Sequence, residues 1–317
     1  MNPPPTVLDN RGTDDGRIVI ADPRTDPRWR HLADGPHGSL FTSPPWIEAV
    51  CGTYGFDPVC RIVVNEHGPA AGLAWVPISD LRGDRRSSLP FCDRADPPVD
   101  DAVSWAALRE SVIGPDAPFT LRCFDTAVPA SDPYLHRVGS VAWHATRLDA
   151  DLGEIHQRLS KHARRNIAIA ERNGVRIESS TELGAVHRFH QLHVQLRKRK
   201  YRLLAQPGEF FERIWQAFTG DGAVVTLLAH ADDELIAGAL FLVWGNTLYY
   251  KFGASRPEHL SLRPNDAIFW AGIHWGVAHR LRWLDWGCSD LDQPGLVAYK
   301  RKWATDERTI ANLRAGG

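Results

Sequence analysis

One lysine near the C-terminus, Lys300, has the chemistry needed to stabilise the transition state of acyl transfer. It lies in the segment GLVAYKRKW, directly after Tyr299. When an amine attacks an ester, negative charge builds up on the carbonyl oxygen, and a cation placed there beforehand speeds the reaction by about 10²–10³. Lysine suits this role because its ammonium group is compact and its stem is long. The alternative is a solvated charge in the basic run 300–302, and spacing alone favours that alternative.

Attack by the amine also releases a proton, which a carboxylate can accept. The segment LPFCDRADPPVD supplies Asp96 as the candidate acceptor, with Asp93 and Asp100 as alternatives. A loop-capping or surface role competes with this assignment for each of the three. Asp285, in WLDWG, lies in a predicted strand, and we expect it to be structural.

Two basic clusters could bind the phosphates of a nucleic acid or of a nucleotide-linked substrate. In the first, Lys161 and Arg165 share one helix face, with Arg164 between them. The second ends a predicted helix and consists of Arg197, Lys198, Arg199, Lys200 and Arg202. For any single member, a solvated helix face is the competing interpretation.

Metal and thiol chemistry have weak support in the sequence. His187, His190 and His193 recur every three residues, but the third rotates away from a shared ligand and no acidic or cysteine ligand accompanies them. We therefore predict a packed or solvated helix face and no metal site. The five cysteines are scattered along the sequence and form no C-x-x-C pair. This pattern favours a protein of the reducing cytoplasm over a disulfide scaffold.

Length and composition predict a two-domain globular protein. The chain has 317 residues, with 37 basic and 38 acidic side chains and a net charge of −1, so a general nucleic-acid coat is excluded and any polyanion would need a local basic patch. No apolar run approaches the roughly 20 residues that span a bilayer. We expect no membrane insertion, and a disordered lead over residues 1–15 instead of a signal peptide.

The second half has the clearer pattern. Asp151 and Glu154 have the spacing of a capping box that opens one helix running to Gly174. A strand, a helix near 182–201, a helix after Pro207, three antiparallel strands with tight turns, a helix from Pro264 and a final strand, RWLDWG, follow. This is the element order of an acyl-CoA N-acyltransferase domain of the GNAT type. The first half contains a degraded version of the same order.

We therefore predict an α/β fold with mixed sheets. It consists of two tandem GNAT-like domains with a cleft between them and no coiled-coil arm. The first, degenerate domain is assigned to residues 16–148, and the second, which carries Lys300, to residues 149–317.

Several segments together resemble the Fem-type aminoacyltransferases and the related FemAB-like acetyltransferase domains. In chain order they are FTSPPWIEAVCGTYG, LPFCDRADPPVD, RRNIAIAERNGV, RKRKYRLLAQPGEFF, DDELIAGALFLVWGNTLYYKFGAS, LDWGCSD and GLVAYKRKWA. The resemblance covers about residues 38–305. Each segment alone is weak, and their order and spacing carry the resemblance.

The resemblance implies a function. Fem-type enzymes move an amino acid from an aminoacyl-tRNA ester to an amine of a peptide, usually a peptidoglycan precursor. Their motif of an aromatic residue followed by lysine matches Tyr299–Lys300, where the peptidoglycan enzymes carry Phe–Lys, so Tyr299 matches only by type. An arginine that contacts the acceptor's diphosphate in those enzymes matches Arg199, with Arg197 as the alternative because the local spacing differs.

On this resemblance we expect a cytoplasmic aminoacyltransferase that needs no cofactor besides aminoacyl-tRNA as co-substrate. The acceptor would be a peptidoglycan precursor or a peptide natural product, and the leaving ribose oxygen could itself take the proton. An acyl-CoA-dependent N-acetyltransferase is the first alternative, although GASRPEHLSLRPND lacks the glycine pattern that cradles a pyrophosphate. A non-catalytic binding module is the second.

Overall fold

A computed structural model of the chain describes residues 17–114 and 117–316. The predicted disordered lead, residues 1–15, lies outside the described residues. The chain divides into two compact units: unit 1 contains residues 17–141 and 309–316, and unit 2 is Ala142–Arg308. The sequence prediction placed the boundary after residue 148 and assigned the whole C-terminus to the second domain. In the structure, the segment from Thr309 onward belongs to unit 1.

Twelve strands form in the described residues: β1 (Arg17–Ala21), β2 (Val59–Asn65), β3 (Gly68–Asp80), β4 (Gly83–Ser87), β5 (Phe119–Phe124), β6 (His136–Arg147), β7 (Arg176–Ser180), β8 (Val224–Ala231), β9 (Glu234–Trp244), β10 (Thr247–Ser255), β11 (Trp283–Asp290) and β12 (Asp306–Ala315).

The α-helices in the same residues are α1 (Pro27–Asp34), α2 (Pro44–Tyr54), α3 (Ala102–Val112), α4 (Leu152–Arg158), α5 (Lys161–Arg172), α6 (Leu183–Leu196), α7 (Gly208–Thr219), α8 (Pro264–Ala278) and α9 (Pro294–Arg301). A π-helical turn, Arg197–Tyr201, follows α6, and a 3-10 turn, Pro257–Leu262, precedes α8.

Unit 1 is built on a sheet in the order β1-β2-β3-β4-β5-β12, in which only the β4–β5 pair is parallel among the registers that are described. Strand β5 alternates buried and half-buried residues, as expected of a strand with one covered face. Its inward side chains Phe119 and Leu121 pack with Trp105 and Leu108 of α3. This apolar contact holds α3 to the sheet.

Unit 2 has the strand order β6-β11-β10-β9-β8-β7. Strands β7 to β10 pair antiparallel in sequence, and β10 pairs parallel with β11. The predicted turns are confirmed, because Asp232 and Asp233 have φ of 47° and 65° and Gly245 has φ of 55° between the strands that they join. Helix α8 provides the crossover that a parallel pair of strands requires.

Strands β10 and β11 pair only where each begins. Thr247, Leu248 and Tyr249 lie opposite Trp283, Leu284 and Asp285, and the register between β10 and β9 shifts between Tyr250 and Phe252. A bulge of this kind bends a strand and interrupts its ladder. Beyond these residues, no further pairs between β10 and β11 occur in the described part of the chain, and α9 follows β11.

Residues 152–174 do not form the single helix that the sequence predicts. The helix breaks at Leu159–Ser160 into α4 and α5, and the Ser160 side chain accepts a hydrogen bond from the amide of Ala163 as the N-cap of α5. The Ser160 amide donates to the carbonyl of Lys302 at 3.1 Å instead of to its own helix. This distant partner explains the break, and the apolar stripe could not reveal it.

The predicted final strand, RWLDWG, is also not the last one. It forms β11, and the chain then continues through α9 to β12, which pairs antiparallel with β5. Strand β12 has a charged start, Asp306–Glu307–Arg308, which hid it in the sequence. Within the described residues, no helix is long and apolar enough to cross a membrane.

We expect the substitution Ser160→Ala to lower the free energy of unfolding by about 1 kcal/mol, because α5 loses its N-cap acceptor. Urea unfolding followed by tryptophan fluorescence measures this loss. Ser261→Ala, in the exposed turn before α8, is the matched control and should change stability by less than about 0.5 kcal/mol. Equal losses in the two variants would contradict the capping role.

Candidate functional site

Lys300 is a buried cation and not a solvated charge. Its side chain leaves the last turn of α9, is 6% exposed, and donates a hydrogen bond from Nζ to the carbonyl oxygen of Cys288 on β11 at 2.7 Å. Its neighbour Arg301 is exposed and forms a bidentate ion pair with Glu307, with both N···O distances at 2.6 Å. The basic run therefore divides into one buried ammonium and one solvated ion pair, which removes the alternative that spacing favoured.

The position at the end of α9 suits a cation. The carbonyl groups at a helix C-terminus carry partial negative charge, which stabilises a cation in the last turn. Even so, an ammonium group that leaves water loses several kcal/mol of hydration free energy, and its new partners must compensate. Its burial makes Lys300 a candidate for a role that uses its charge.

The positive charge of Lys300 acts on a second buried polar residue, His144. His144, on β6, is 0% exposed, and its Nδ1 has no hydrogen-bond partner among the described residues. Burial lowers its pKa, and the positive charges of Lys300 and Arg301 lower it further, although Glu307 opposes them. The distance from Nε2 to Glu307 Oε2 is 3.3 Å, but an ion pair requires a protonated ring, so we assign a neutral imidazole at neutral pH.

A series of hydrogen bonds connects β11 and β6 to the residues just after α9. The indole of Trp286 on β11 donates to the hydroxyl of Thr146 on β6 at 2.8 Å, and this hydroxyl donates to the carbonyl of Trp303 at 2.6 Å. Trp303 lies two residues after the end of α9 and is 0% exposed. These hydrogen bonds therefore hold the C-terminal end of α9, the helix that carries Lys300.

Tyr299 belongs to an aromatic cluster on the side of α9 that faces α8. Its ring packs edge-on against Phe269 at 5.3 Å between centroids, and Phe269 stacks on Trp286 at 4.2 Å. The buried hydroxyl lies beside the side chain of Trp303. Burial raises the pKa of Tyr299 well above its ordinary value, with a further contribution from the charge of Asp266, so the phenol is neutral.

Asp266 is the residue that the sequence interpretation missed. It lies in the first turn of α8, is 4% exposed, and accepts a hydrogen bond from Asn166 Nδ2 at 3.2 Å. Phe269 lies three positions after Asp266 in the same helix, so Asp266 shares the helix face on which Tyr299 packs. Burial raises the pKa of Asp266 above its usual range, which brings this carboxyl closer to the pH at which general bases work.

The sequence signal for Asp266 was the Pro264–Asn265–Asp266 start of a helix, which is equally typical of an exposed acid that favours the helix dipole. Nothing in that pattern reveals burial. The carboxylate depends on Asn166, a hundred residues away in α5, for its hydrogen bond. Only the packing of α5 against α8 brings the two side chains together.

Asp96 is buried in unit 1 with both carboxylate oxygens engaged. Oδ2 accepts from Arg94 at 2.5 Å, and Oδ1 accepts from the amide of Phe124 at 2.8 Å. These contacts favour its alternative role of fixing the loop. Asp100 is exposed and hydrogen-bonds to His37, and Asp285 accepts from the Trp143 indole at 2.9 Å, a structural contact.

The first basic cluster separates into two kinds of residue. Arg164 donates to the carbonyl oxygens of Gln157 and Leu159 at 2.8 and 2.6 Å, and so closes the C-terminal end of α4. Lys161 and Arg165 are exposed one helical turn apart on α5. The structure thus leaves these two available to an anionic partner and gives Arg164 a contact within unit 2.

The second basic cluster lies on the π-helical turn after α6. Arg199 is exposed and lines, with Lys200 and Arg256, a notch of about 10 Å³. The notch is too small for anything larger than water. Arg197 instead donates from Nε to the carbonyl of Leu204 at 3.3 Å. Of the two arginines that the sequence left open, the exposed Arg199 is better placed to contact a ligand.

The three spaced histidines have separate partners. His187 pairs with Glu212 at 3.0 Å, His190 contacts the Gln206 carbonyl at 3.0 Å, and His193 contacts the Gln206 side chain at 2.7 Å. No group of three or more potential ligands able to hold a metal occurs in the described part of the chain.

The described cysteines are not paired to one another, and burial raises the pKa of the Cys51 thiol to about 12. That thiol is therefore protonated at neutral pH and is not an activated nucleophile.

Comparison with known proteins agrees with this architecture. Residues 157–301, which include α5 to α9 and Lys300, match the family described as the acetyltransferase (GNAT) domain. The crystal structure of FemX is similar with a TM-score of 0.72 and 15% identity, over 90% of this chain and 95% of that chain. The chain has a Fem-like tandem GNAT fold.

Two further structures are similar to this chain. A tandem GNAT protein from the clavulanic acid biosynthesis pathway has a TM-score of 0.55 and 15% identity, over 95% of this chain and 99% of that chain. L-PGS from Bacillus licheniformis has a TM-score of 0.52 and 12% identity, over 94% of both chains. No curated protein sequence shows significant similarity. These findings confirm the predicted fold and support acyl transfer as the general kind of reaction.

We expect Asp266→Asn to stabilise the protein relative to wild type more strongly at pH 8 than at pH 4. Because the folded-state pKa of Asp266 is raised by burial, the wild type has the full contribution of its protonated carboxyl below the unfolded pKa, and loses it as pH rises through the folded pKa. The asparagine variant has no such loss.

Thermal and urea unfolding between pH 4 and pH 8 measure this difference. Asp221→Asn, in the exposed turn before β8, is the matched control and should show no comparable divergence from wild type. A constant difference in unfolding free energy between Asp266→Asn and wild type across this range would show that Asp266 titrates normally.

Proposed function

We propose that this chain transfers an aminoacyl group from aminoacyl-tRNA to an amine of a peptide acceptor, with Lys300 as the cation at the reacting carbonyl. One observation supports this above the others: the ammonium of Lys300 is buried and fixed on the Cys288 carbonyl at 2.7 Å. The Fem-type aromatic–lysine motif matches the same residue. A carbonyl oxygen that gains charge next to such a preorganised cation is stabilised without reorganisation of the site.

The bond changes are those of aminolysis. The acceptor nitrogen forms a bond to the ester carbonyl carbon, charge collects on the carbonyl oxygen near Lys300, and the bond to the ribose oxygen then breaks. The new amide releases one proton and the ribose oxygen gains one, so no oxidant, metal or nucleotide hydrolysis is needed.

The proton can pass directly or through a carboxyl group. Burial raises the pKa of the Asp266 carboxyl, which shares the α8 face with the cluster around Tyr299. We assign it the proton transfer in preference to Asp96, whose oxygens are both engaged within unit 1.

The α8 N-terminus favours the tRNA donor over acyl-CoA. A helix N-terminus binds a pyrophosphate through free amide groups. Here the first residue is Pro264, the amides of Asp266 and Ala267 donate to the Arg263 carbonyl at 3.1 and 3.2 Å, and a carboxylate lies in the first turn. These features oppose a bound pyrophosphate, although the match to an acetyltransferase family keeps the acyl-CoA-dependent N-acetyltransferase as the second candidate.

A non-catalytic binding module is the weakest candidate, because such a module gains nothing from a buried ammonium. The phosphate contacts of the donor or of a nucleotide-linked peptide acceptor are assigned to Lys161, Arg165 and Arg199, which are all exposed. We place the reaction in the cytoplasm, where aminoacyl-tRNA is present.

A donor test decides between the two enzymatic candidates. The purified protein is incubated with tRNA carrying labelled amino acids, or with labelled acetyl-CoA, and a panel of peptide and nucleotide-linked peptide amines. We expect labelled amide product from aminoacyl-tRNA and none from acetyl-CoA. Transfer from acetyl-CoA alone would overturn the proposed function.

Lys300→Met should lower kcat/KM by about 10²–10³ while the protein stays folded, because the variant keeps an apolar stem but lacks the cation at the carbonyl. Steady-state transfer assays and circular dichroism measure the two quantities. The control Arg172→Met removes an exposed positive charge at the end of α5 and should retain activity within about threefold. A Lys300→Met variant as active as wild type would refute the role of the ammonium.

The double variant Lys161→Ala, Arg165→Ala should weaken tRNA binding and make log K less dependent on log salt, by about one unit of slope for each phosphate that is no longer neutralised. Filter binding across a salt series measures the slope. Arg172→Ala, at the opposite end of the same helix, is the control and should leave the slope unchanged. An unaltered slope in the double variant would exclude this helix face from tRNA binding.

A further inference from the structure

A cavity of about 650 Å³ lies within unit 2 beside α8, with walls from α5, β7, β8 and α8. Ligand pockets in proteins occupy about 300–1,000 Å³. The cavity is therefore large enough for a small organic molecule, and the proposed transfer reaction does not use it.

The cavity is separate from the residues assigned to acyl transfer. The buried side chains Asp266, Phe269 and Ile273 repeat at the spacing of one α8 face. Ala267, Trp270 and Ala271 occupy the adjacent face and line the cavity. Neither Lys300, Tyr299 nor Asp266 contributes to its lining.

The lining has an apolar floor and a rim that reaches water. Ala170 and Leu227 are each 1% exposed and form the floor. The walls include Ile167, Trp270 and Trp275, while Ala271 leaves space where a larger side chain would stand. An apolar body that fills this space would gain about 25 cal/mol per Å² of surface removed from water.

One formal charge marks the rim. Glu171, near the end of α5, is the only Asp, Glu, Lys or Arg in the lining, is exposed, and has no ion-pair partner among the described residues. His274, also exposed at the rim, has a pKa lowered by partial burial, so it adds no charge at neutral pH.

We propose that this cavity binds an apolar primary amine, with the aliphatic or aromatic body on the floor formed by Ala170 and Leu227 and the ammonium group at Glu171. This orientation is favoured because the floor is apolar and the only charged side chain of the lining, Glu171, lies at the rim. A carboxylate of the same length would bring two negative charges together, and a fully polar cation would leave the floor unfilled. The proposal is independent of the aminoacyl donor and of Lys300.

Isothermal titration calorimetry with decylammonium, below its micelle concentration, tests the site in the intact chain. Decanoate is the probe of equal length and opposite charge. The variants are Glu171→Gln, which removes the rim charge, and Ala271→Phe, which fills the cavity. Ala278→Phe at the exposed rim is a second filling variant in case Ala271→Phe fails to fold. Glu66→Gln, in unit 1, controls for the change in net charge.

We expect the wild type and Glu66→Gln to bind decylammonium at least about tenfold more tightly than decanoate. Glu171→Gln should lose most of that preference, and a folded filling variant should bind neither probe at this site. The proposal fails if the wild type binds neither probe, binds both equally, or binds decylammonium unchanged after Glu171→Gln or after filling. No acyl donor is used in these titrations, so a failure of this proposal can be distinguished from a failure of the proposed function in the donor test.

Discussion

The hydrogen bond from Lys300 Nζ to the Cys288 carbonyl is the constraint on which the candidate site depends. An ammonium removed from water is stable only where the protein supplies dipoles in its place. Here they come from a carbonyl on β11 beyond the point where β10 and β11 stop pairing, and from the last turn of α9. Helix α9, which follows β11, positions this cation against that carbonyl.

Three other polar groups of unit 2 are also removed from water, and burial shifts the pKa of each. Burial keeps His144 neutral, holds Tyr299 as a phenol and favours the protonated form of Asp266. Burial therefore disfavours the charged form of each of these three groups, whereas Lys300 carries its charge. Such separation of charge states by environment is typical of sites that combine electrostatic stabilisation with proton transfer. A purely structural core would gain stability from apolar residues at several of these positions.

The sequence predicted the architecture because local signals and packing agreed there. Turns at Asp232–Asp233 and Gly245, the strands that they join and the Pro264 start of α8 are all encoded within a few residues of where they act. The role of Lys300 was inferred from its motif and stays a prediction, whereas its burial is seen only in the structure. The failures share another cause, which is dependence on a distant partner: Ser160 bonds to Lys302, and Arg164 caps the helix that this break creates. The burial of Asp266 and its bond to Asn166 depend on helix packing that no local pattern contains.

Chemical rescue tests the central claim most directly, because it returns the charge without the side chain. Lys300→Ala leaves a space that a small alkylammonium ion can enter, and the appearance of the acceptor's amide product is followed as n-propylammonium or uncharged n-propanol is added. The account predicts saturable restoration of transfer by n-propylammonium in Lys300→Ala, none by n-propanol, and no acceleration of the wild type. Full activity of Lys300→Ala without added amine, or equal restoration by n-propanol, would show that the cation at this position is not what stabilises the transition state.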